Sequence, residues 1–392
     1  MKFKLLLFLL VIALTACTAQ TTPASNNHLA ENQTPEAASP KILLIDTSTP
    51  VANNAAVIKS PSVQSLDMLN ELDGWGVTEK QIVRTNDGGS TWFDVTPPEL
   101  TDEGFTLTTS FLDVDHAWVQ VPDVNNIPNA GTLYRTTDGG ITWTSNSVPF
   151  SSGHLAFLDE NNGWMLADLG AGAGSNAVAV FVTQNGGETW NQTFINDPND
   201  ATATETLPLS GIKGGIVPIN MQTAWISGVT YSPATVYLYR TDDSGVTWSQ
   251  VDVELPENVG QSEVDVAEMK FVTTKDGFFA LRITGQRSDT ALYVTHDAGN
   301  TWSLLPTILS GQGTTEFISD QEIIFYNGQQ FYVSKDAGQT WEAVTPDVVF
   351  GDSFAGMTFA NTLIGWVITS NSDQRTLYKT TDGGTHWSPI IP

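Results

Sequence analysis

Seven copies of one eight-residue phrase, short β-rich runs around each copy, and no stretch that sustains a 3.6-residue apolar period predict an all-β chain. The expected architecture is a single seven-bladed β-propeller of four-stranded antiparallel blades. Written out, the phrase is Ser/Thr-x-Asp/Asn-x-Gly-x-Thr/His-Trp, at residues 85–92, 136–143, 183–190, 241–248, 295–302, 334–341 and 380–387. Successive copies lie 39 to 58 residues apart, enough for four strands and their connections.

Each element of the repeat has its own signal. A β-rich run such as Leu155 to Leu158 or Met357 to Phe359 predicts the first strand. The second opens with Gly or Ala and an aromatic: Gly74-Trp75, Ala117-Trp118, Gly163-Trp164, Ala224-Trp225, Gly277-Phe278 and Gly365-Trp366. Runs such as Thr132 to Arg135, Val236 to Tyr239 and Gln330 to Val333 predict the third, and the Trp that ends each phrase heads the fourth. The sixth copy has Ile324-Phe325 where the others have Gly-Trp, and is expected to be a minimal blade. Trp92, Trp143, Trp190, Trp248, Trp302, Trp341 and Trp387 end the phrases, and the five Trp of the second signal complete the twelve in the chain.

The acidic position of the phrase (Asp87, Asp138, Asn185, Asp243, Asp297, Asp336 and Asp382) falls in a tight turn, where a side-chain oxygen accepts backbone N–H groups. Asn185 keeps an acceptor, and His386 replaces Thr in the last copy. Packing must recur in every blade whereas a site rarely does, so these residues are expected to be structural, with no metal or catalytic role. The phrase resembles the Asp-box, or bacterial neuraminidase repeat, of sialidases, sortilin-type receptors, xyloglucanases and photosystem II assembly factors. The longer pattern of Gly-Trp, a hydrophobic-Arg-Thr strand and Asp-Gly-Gly-x-Thr-Trp is most similar to the last family.

The N-terminus has a different logic. Lys2 and Lys4 precede the apolar run Leu5 to Leu14, too short to span a bilayer, which predicts a signal segment over residues 1–16. Leu14-Thr15-Ala16-Cys17 resembles a bacterial lipobox, which implies lipid on Cys17, the only cysteine, and attachment to the outer face of a membrane of the bacterial cell envelope. Residues 17–40 are rich in Thr, Ala, Asn and Pro and read as a flexible tether, leaving 41–392 for the propeller. Within it, Lys41 to Asp46 is strand-like and is expected to pair with the last blade.

Charge narrows the function. With 43 Asp and Glu against 16 Lys and Arg, the net charge of -27 excludes a nucleic-acid partner. The uneven loops at 93–104, 122–131, 169–177, 194–211, 252–268 and 344–353 fall on one face and are acidic, suited to a basic partner or to solubility. On the opposite face Arg84, Arg135, Arg240 and Lys379 each precede a phrase, forming either a basic arc for a partner protein or local ion pairs. Arginines that engage a client are implied by the resemblance to the assembly factors. Six arginines and no Arg-Ile-Pro phrase argue against a sialidase, and the five histidines show no metal-ligand spacing. The expected function is a non-enzymatic, monomeric, extracytoplasmic protein-binding scaffold without a cofactor. The alternative is a glycoside hydrolase, sialidase-like, or a carbohydrate-binding propeller.

Overall fold

The computed structural model describes residues 55–100, 107–257, 259–371 and 374–390. The signal segment, Cys17, the tether and the run Lys41 to Asp46 lie outside the described residues. Residues Thr47–Pro392 form one compact unit, and among its described residues the only helical element is the 3-10 turn Gly351–Ser353.

Four-stranded antiparallel meanders make up the unit. The first runs Val63–Met68, Gly74–Thr78, Ile82–Thr85 and Trp92–Asp94, with Val57–Ile58 added at its outer edge. Meanders of the same order begin at Thr108–Phe111, Gly153–Phe157, Thr314–Phe317 and Phe354–Phe359. A nine-stranded sheet joins two more, starting at Ile212–Pro218 and Glu263–Phe271, through the pair Val229 and Asp265. The fold is an all-β propeller: from Thr108–Phe111 onward the first strands pack on one another in succession, and Phe354–Phe359 returns to Val63–Met68. The described strands of the last meander all come from residues 354–389.

Because each meander is covered on both sides by neighbours, its second strand is apolar without alternation; Gly74–Thr78 is buried at every position. The core is therefore divided into clusters between adjacent meanders. One joins Trp75, Val77 and Ile82 to Ala117, Val119 and Tyr134. Another closes the circle with Val63, Val83 and Trp92 against Trp366, Ile368 and Leu377. A Trp side chain buries 150–250 Å², so each enclosed Trp contributes roughly 4–6 kcal/mol of gross transfer free energy.

Three expectations need correction. Ile323 pairs with Ser334 as Gly74 pairs with Thr85, so Ile323-Ile324, not Ile324-Phe325, takes the Gly-Trp place. The segment 252–268 is not all loop: Glu263–Phe271 is a first strand, which takes Asp265 and Glu268 out of the loop face. Likewise Gly163–Gly172 and Ser175–Thr183 form one long hairpin, so most of the segment 169–177 expected as a loop is strand.

Candidate functional site

The seven phrases share one hydrogen-bond pattern. Thr136 Oγ1 donates to Asp138 Oδ1 at 2.8 Å and accepts the Gly140 N–H at 2.9 Å. The Thr142 N–H and hydroxyl then donate to the two carboxylate oxygens at 2.9 and 2.6 Å. Asp243, Asp297 and Asp336 repeat all four bonds, and Asp87 repeats the inner three. At Asn185 the amide nitrogen donates to Thr189 Oγ1 instead, and at Asp382 the His386 ring nitrogen sits 2.6 Å from Oδ2, replacing the threonine hydroxyl. Hydrogen bonds to the His386 backbone and ring hold Asp382 down at about 2, and bonds from Thr340 lower Asp336. Each carboxylate is thus occupied inside its own turn.

Each turn also docks on its own meander: the Gly88 N–H donates to Leu72 O at 2.8 Å, and Gly139, Gly186, Ser244, Ala298, Ala337 and Gly383 do the same to the preceding turn. The phrase-ending tryptophans close the turns from beneath. Trp190, Trp248, Trp341 and Trp387 each donate Nε1–H to the glycine carbonyl three residues earlier, at 2.8 to 3.1 Å. Trp143 donates to Val95 O of the previous meander, Trp92 is 2% exposed in the closing cluster, and Trp302 stacks edge-on against Trp225.

The basic residues are placed between meanders. Arg84, Arg135, Arg240 and Lys379 are each paired in register with the tryptophan of the second strand and lie over its ring, at 4.9 to 5.8 Å. From there three of them reach the next meander's turns. Arg84 donates to Gly139 O at 3.5 Å, Arg135 to Glu160 O at 2.9 Å and Lys379 to Gly88 O at 3.3 Å, the last across the closure. An added Cβ at Gly139, Gly186 or Gly88 would overlap the head group of Arg84, Arg135 or Lys379 respectively. Arg240, whose next phrase carries Ala298 at that turn position, donates instead to Asp242 Oδ1 and Asn300 Oδ1, at 2.8 and 2.7 Å. Where Val182 or Val294 stands in place of a cation, the next turn carries Ser244 or Ala337. A cation against the turn therefore requires glycine there. Arg84, only 1% exposed, presents no surface to a partner; burial lowers its pKa, against which the carboxylates of Asp73, Asp115 and Asp113 favour its charge.

The connections between second and third strands, and between one meander and the next, emerge at the end opposite those turns. They carry the most exposed apolar side chains: Val349 at 91%, Val124 at 74%, Tyr231 at 64% and Ile127 at 60%. On the axis lies a cavity of about 450 Å³ lined by five first strands, including His154, Glu268, Lys270 and Glu316. Glu268 accepts from Arg282 at 3.2 Å, and Glu316 from Lys270 at 3.1 Å. Burial pushes Glu268 up to about 7, Arg282 opposes this, and Asp265 and Glu316 add to it; burial also raises Glu316. Of these, Glu268 falls in the segment 252–268 that the sequence assigns to an acidic loop, and His154 is one of the five histidines without metal-ligand spacing. The charges of a first strand look like any half-exposed alternation until the axis is known.

Comparison with known proteins gives three lines of similarity. The sequence model of a family described as sortilin, neurotensin receptor 3, matches residues 290–391. A xyloglucanase of Hypocrea jecorina (strain QM6a) is 24% identical over 295 residues, 67% of this chain and 29% of that protein. The photosystem II assembly lipoprotein Ycf48 of Synechococcus sp. (strain CC9902) is 21% identical over 320 residues, 73% of this chain and 90% of that protein. A solved structure of YCF48 bound to D1 peptide superposes with a TM-score of 0.51 at 18% identity, covering 84% of this chain and 97% of that one. The chain thus spans less than a third of the xyloglucanase and most of the lipoprotein.

Proposed function

We propose that the chain is a lipid-anchored, seven-bladed propeller of the bacterial cell envelope, built on Asp-box turns, that holds a polypeptide partner on its loop face. The observation that carries this reading is the loop face itself, where Val349, Val124, Tyr231 and Ile127 stand 60–91% exposed. Exposed apolar side chains on loops held by a rigid scaffold suit a protein partner. Sugar clefts, by contrast, stack their ligand on exposed aromatic rings, and among the described residues Tyr231 is the only aromatic with a large exposed side chain. The relative that the chain matches over 90% of its length is an assembly lipoprotein, which supports an anchor at Cys17 and a partner of similar kind. In this reading the box aspartates and the arginines maintain the ring, and the chain acts as a monomer without a cofactor.

Crosslinking and pull-down of the full chain from its native membrane tests it. A protein should be captured, and should be lost from a Val124→Glu/Ile127→Glu/Val349→Glu variant whose melting temperature is unchanged. A second reading, a glycoside hydrolase or carbohydrate-binding propeller, is favoured by the xyloglucanase similarity and by Glu268, raised into the range of a general acid beside Glu316. Turnover of a glycan panel that disappears in Glu268→Gln, with no captured protein, would replace the first reading by the second.

A further inference from the structure

The third meander's long hairpin leaves one strand edge open at the loop end. Its first strand, Gly153–Phe157, pairs only as far as Ala167, so Asp168 to Gly172 continue as an arm with Ser175–Thr183 alone. The two edges of the arm differ. On one, the Asn176 N–H donates to Gly211 O at 3.3 Å, the Asn176 carbonyl accepts from Lys213 Nζ at 3.0 Å, and Val178 exchanges bonds with Asn196. Asn176 is the register partner of Ala171. Because its polar groups turn outward, the two form a non-hydrogen-bonded pair, and the Ala171 N–H and C=O point to the opposite edge. Val178 and Asp168 form the same kind of pair one bulge earlier, and there the Asp168 N–H donates to Ser152 O at 3.0 Å. Beyond Ser152, no described residue covers this edge: Ala171 is exposed, and a Cβ added to Gly170 or Gly172 would meet no atom within 4 Å. Charge or proline ordinarily blunts such an edge, and Leu169 to Gly172 carry neither. The arm's tip adjoins Tyr231, whose ring a Cβ on Gly174 would touch, so the edge continues the apolar loop surface.

We propose that this edge takes up an extended polypeptide segment by main-chain pairing, in which the residue opposite Ala171 exchanges two N–H···O bonds with it. The proposal rests on the reading of the loop face as a polypeptide surface and adds how the segment is held. One N–H and one C=O presented in strand geometry are matched together by a second extended backbone. The segment belongs to a different chain, neutral or basic, since a second copy would bring another net charge of -27 against the acidic loops.

The test is selection of random dodecapeptides displayed on phage against the immobilised full chain, followed by synthesis of the enriched peptides with single backbone N-methyl groups. N-methylation should weaken binding about tenfold or more at alternate residues and leave the intervening residues unaffected. Ala171→Pro removes an N–H that the arm's own ladder does not use and should abolish binding, while Ala171→Val keeps the N–H and should retain it. Unchanged melting temperatures verify that both variants are folded, and the N-methyl series needs only the wild-type chain. No enriched peptide, N-methyl effects without alternation, or equal binding to folded Ala171→Pro overturns the proposal. So does a dimer of the chain that Ala171→Pro dissociates, which would assign the edge to a second copy. A membrane protein captured equally by folded Ala171→Pro overturns the edge and leaves the partner reading standing, whereas absence of any captured protein overturns that reading itself.

Discussion

Replacing Gly139 by Ala isolates the contact that locks one meander to the next. Gly139 has φ +71°, and alanine already occupies this turn position at Ala298 and Ala337 with φ +60° and +56°, so the backbone term is about 1 kcal/mol. The added methyl would also approach Val114 O at 3.1 Å, much as one at Gly383 would approach Thr362 O at 3.0 Å. What differs is the Arg84 head group, which the methyl at Gly139 would displace and which has no counterpart at Gly383. Arg84 is enclosed, so moving it forfeits a desolvated contact with Trp75, about 2 kcal/mol. It also withdraws the charge that faces buried Asp73, about 1–3 kcal/mol. Gly139→Ala is therefore expected to cost about 4–6 kcal/mol and Gly383→Ala about 1–2 kcal/mol, read as urea midpoints at unchanged slope. In an Arg84→Val background, Gly139→Ala should fall to the Gly383→Ala value. Equal costs at the two glycines, or the same cost in both backgrounds, would refute the lock.

The remaining predictions concern protons and a buried cation. Glu268, Glu316, Asp265 and Asp67 are all raised, chiefly by burial, so the folded chain holds protons that the unfolded chain releases. Their contribution is complete below about 4 and is lost as pH rises through the folded values, about 7 for Glu268. Melting temperature should accordingly rise from pH 8 to 5, and Glu268→Gln should flatten that limb; an undiminished rise in the variant would remove Glu268 from the account. Asp138, Asp243, Asp297, Asp336 and Asp382 have the opposite sign: all are lowered, Asp382 to about 2, so their stabilisation is present above the ordinary value of 3.8 and fades as pH falls toward 2, which a thermal series from pH 5 to 2 measures. Lys213 is 3% exposed and donates to the carbonyls of Asn176, Leu209, Ser210 and Gly211. Lys213→Met leaves those acceptors short of a donor and should cost about 2–4 kcal/mol, with faster amide exchange confined to residues 196–213; unchanged exchange there would contradict the role.

Much of this architecture is legible in sequence because packing repeats. The Gly-Trp pairs and the box tryptophans mark the second strand and the final turn of each meander, and the structure puts strands where the β-rich runs predict them, as at Gly131–Thr136 and Phe331–Ser334. The sixth repeat misleads by one residue, since three consecutive apolar positions, Ile323, Ile324 and Phe325, leave the register open until Ile323 pairs with Ser334. The basic residues were visible, yet their burial depends on the neighbouring meander. A signal was nonetheless present: Arg84, Arg135 and Lys379 are followed in the next repeat by glycine at the fourth phrase position, while Val182 and Val294 are followed by Ser244 and Ala337. Gly383 follows Val333, and Ala298 follows Arg240, whose head group turns aside to Asp242 and Asn300, so glycine is required only where the cation lies against the turn. Axial residues such as Lys270 and Glu316 carried no such mark, because an inner strand exposes alternate side chains just as an outer one does.

Residue-level crosslink mapping of the captured complex tests the central claim, that the repeated residues maintain the ring while the loop face meets a polypeptide. A photoreactive amino acid placed in turn at Val124, Tyr231 and Val349, and for comparison at Ile141, Val246 and Leu363 on the box-turn end, is activated in the native membrane. Adducts to one protein from the first three positions, with none from the second three, are the predicted result. Adducts concentrated at the box-turn end, or none at either end from a chain that hydrolyses glycans, would contradict it.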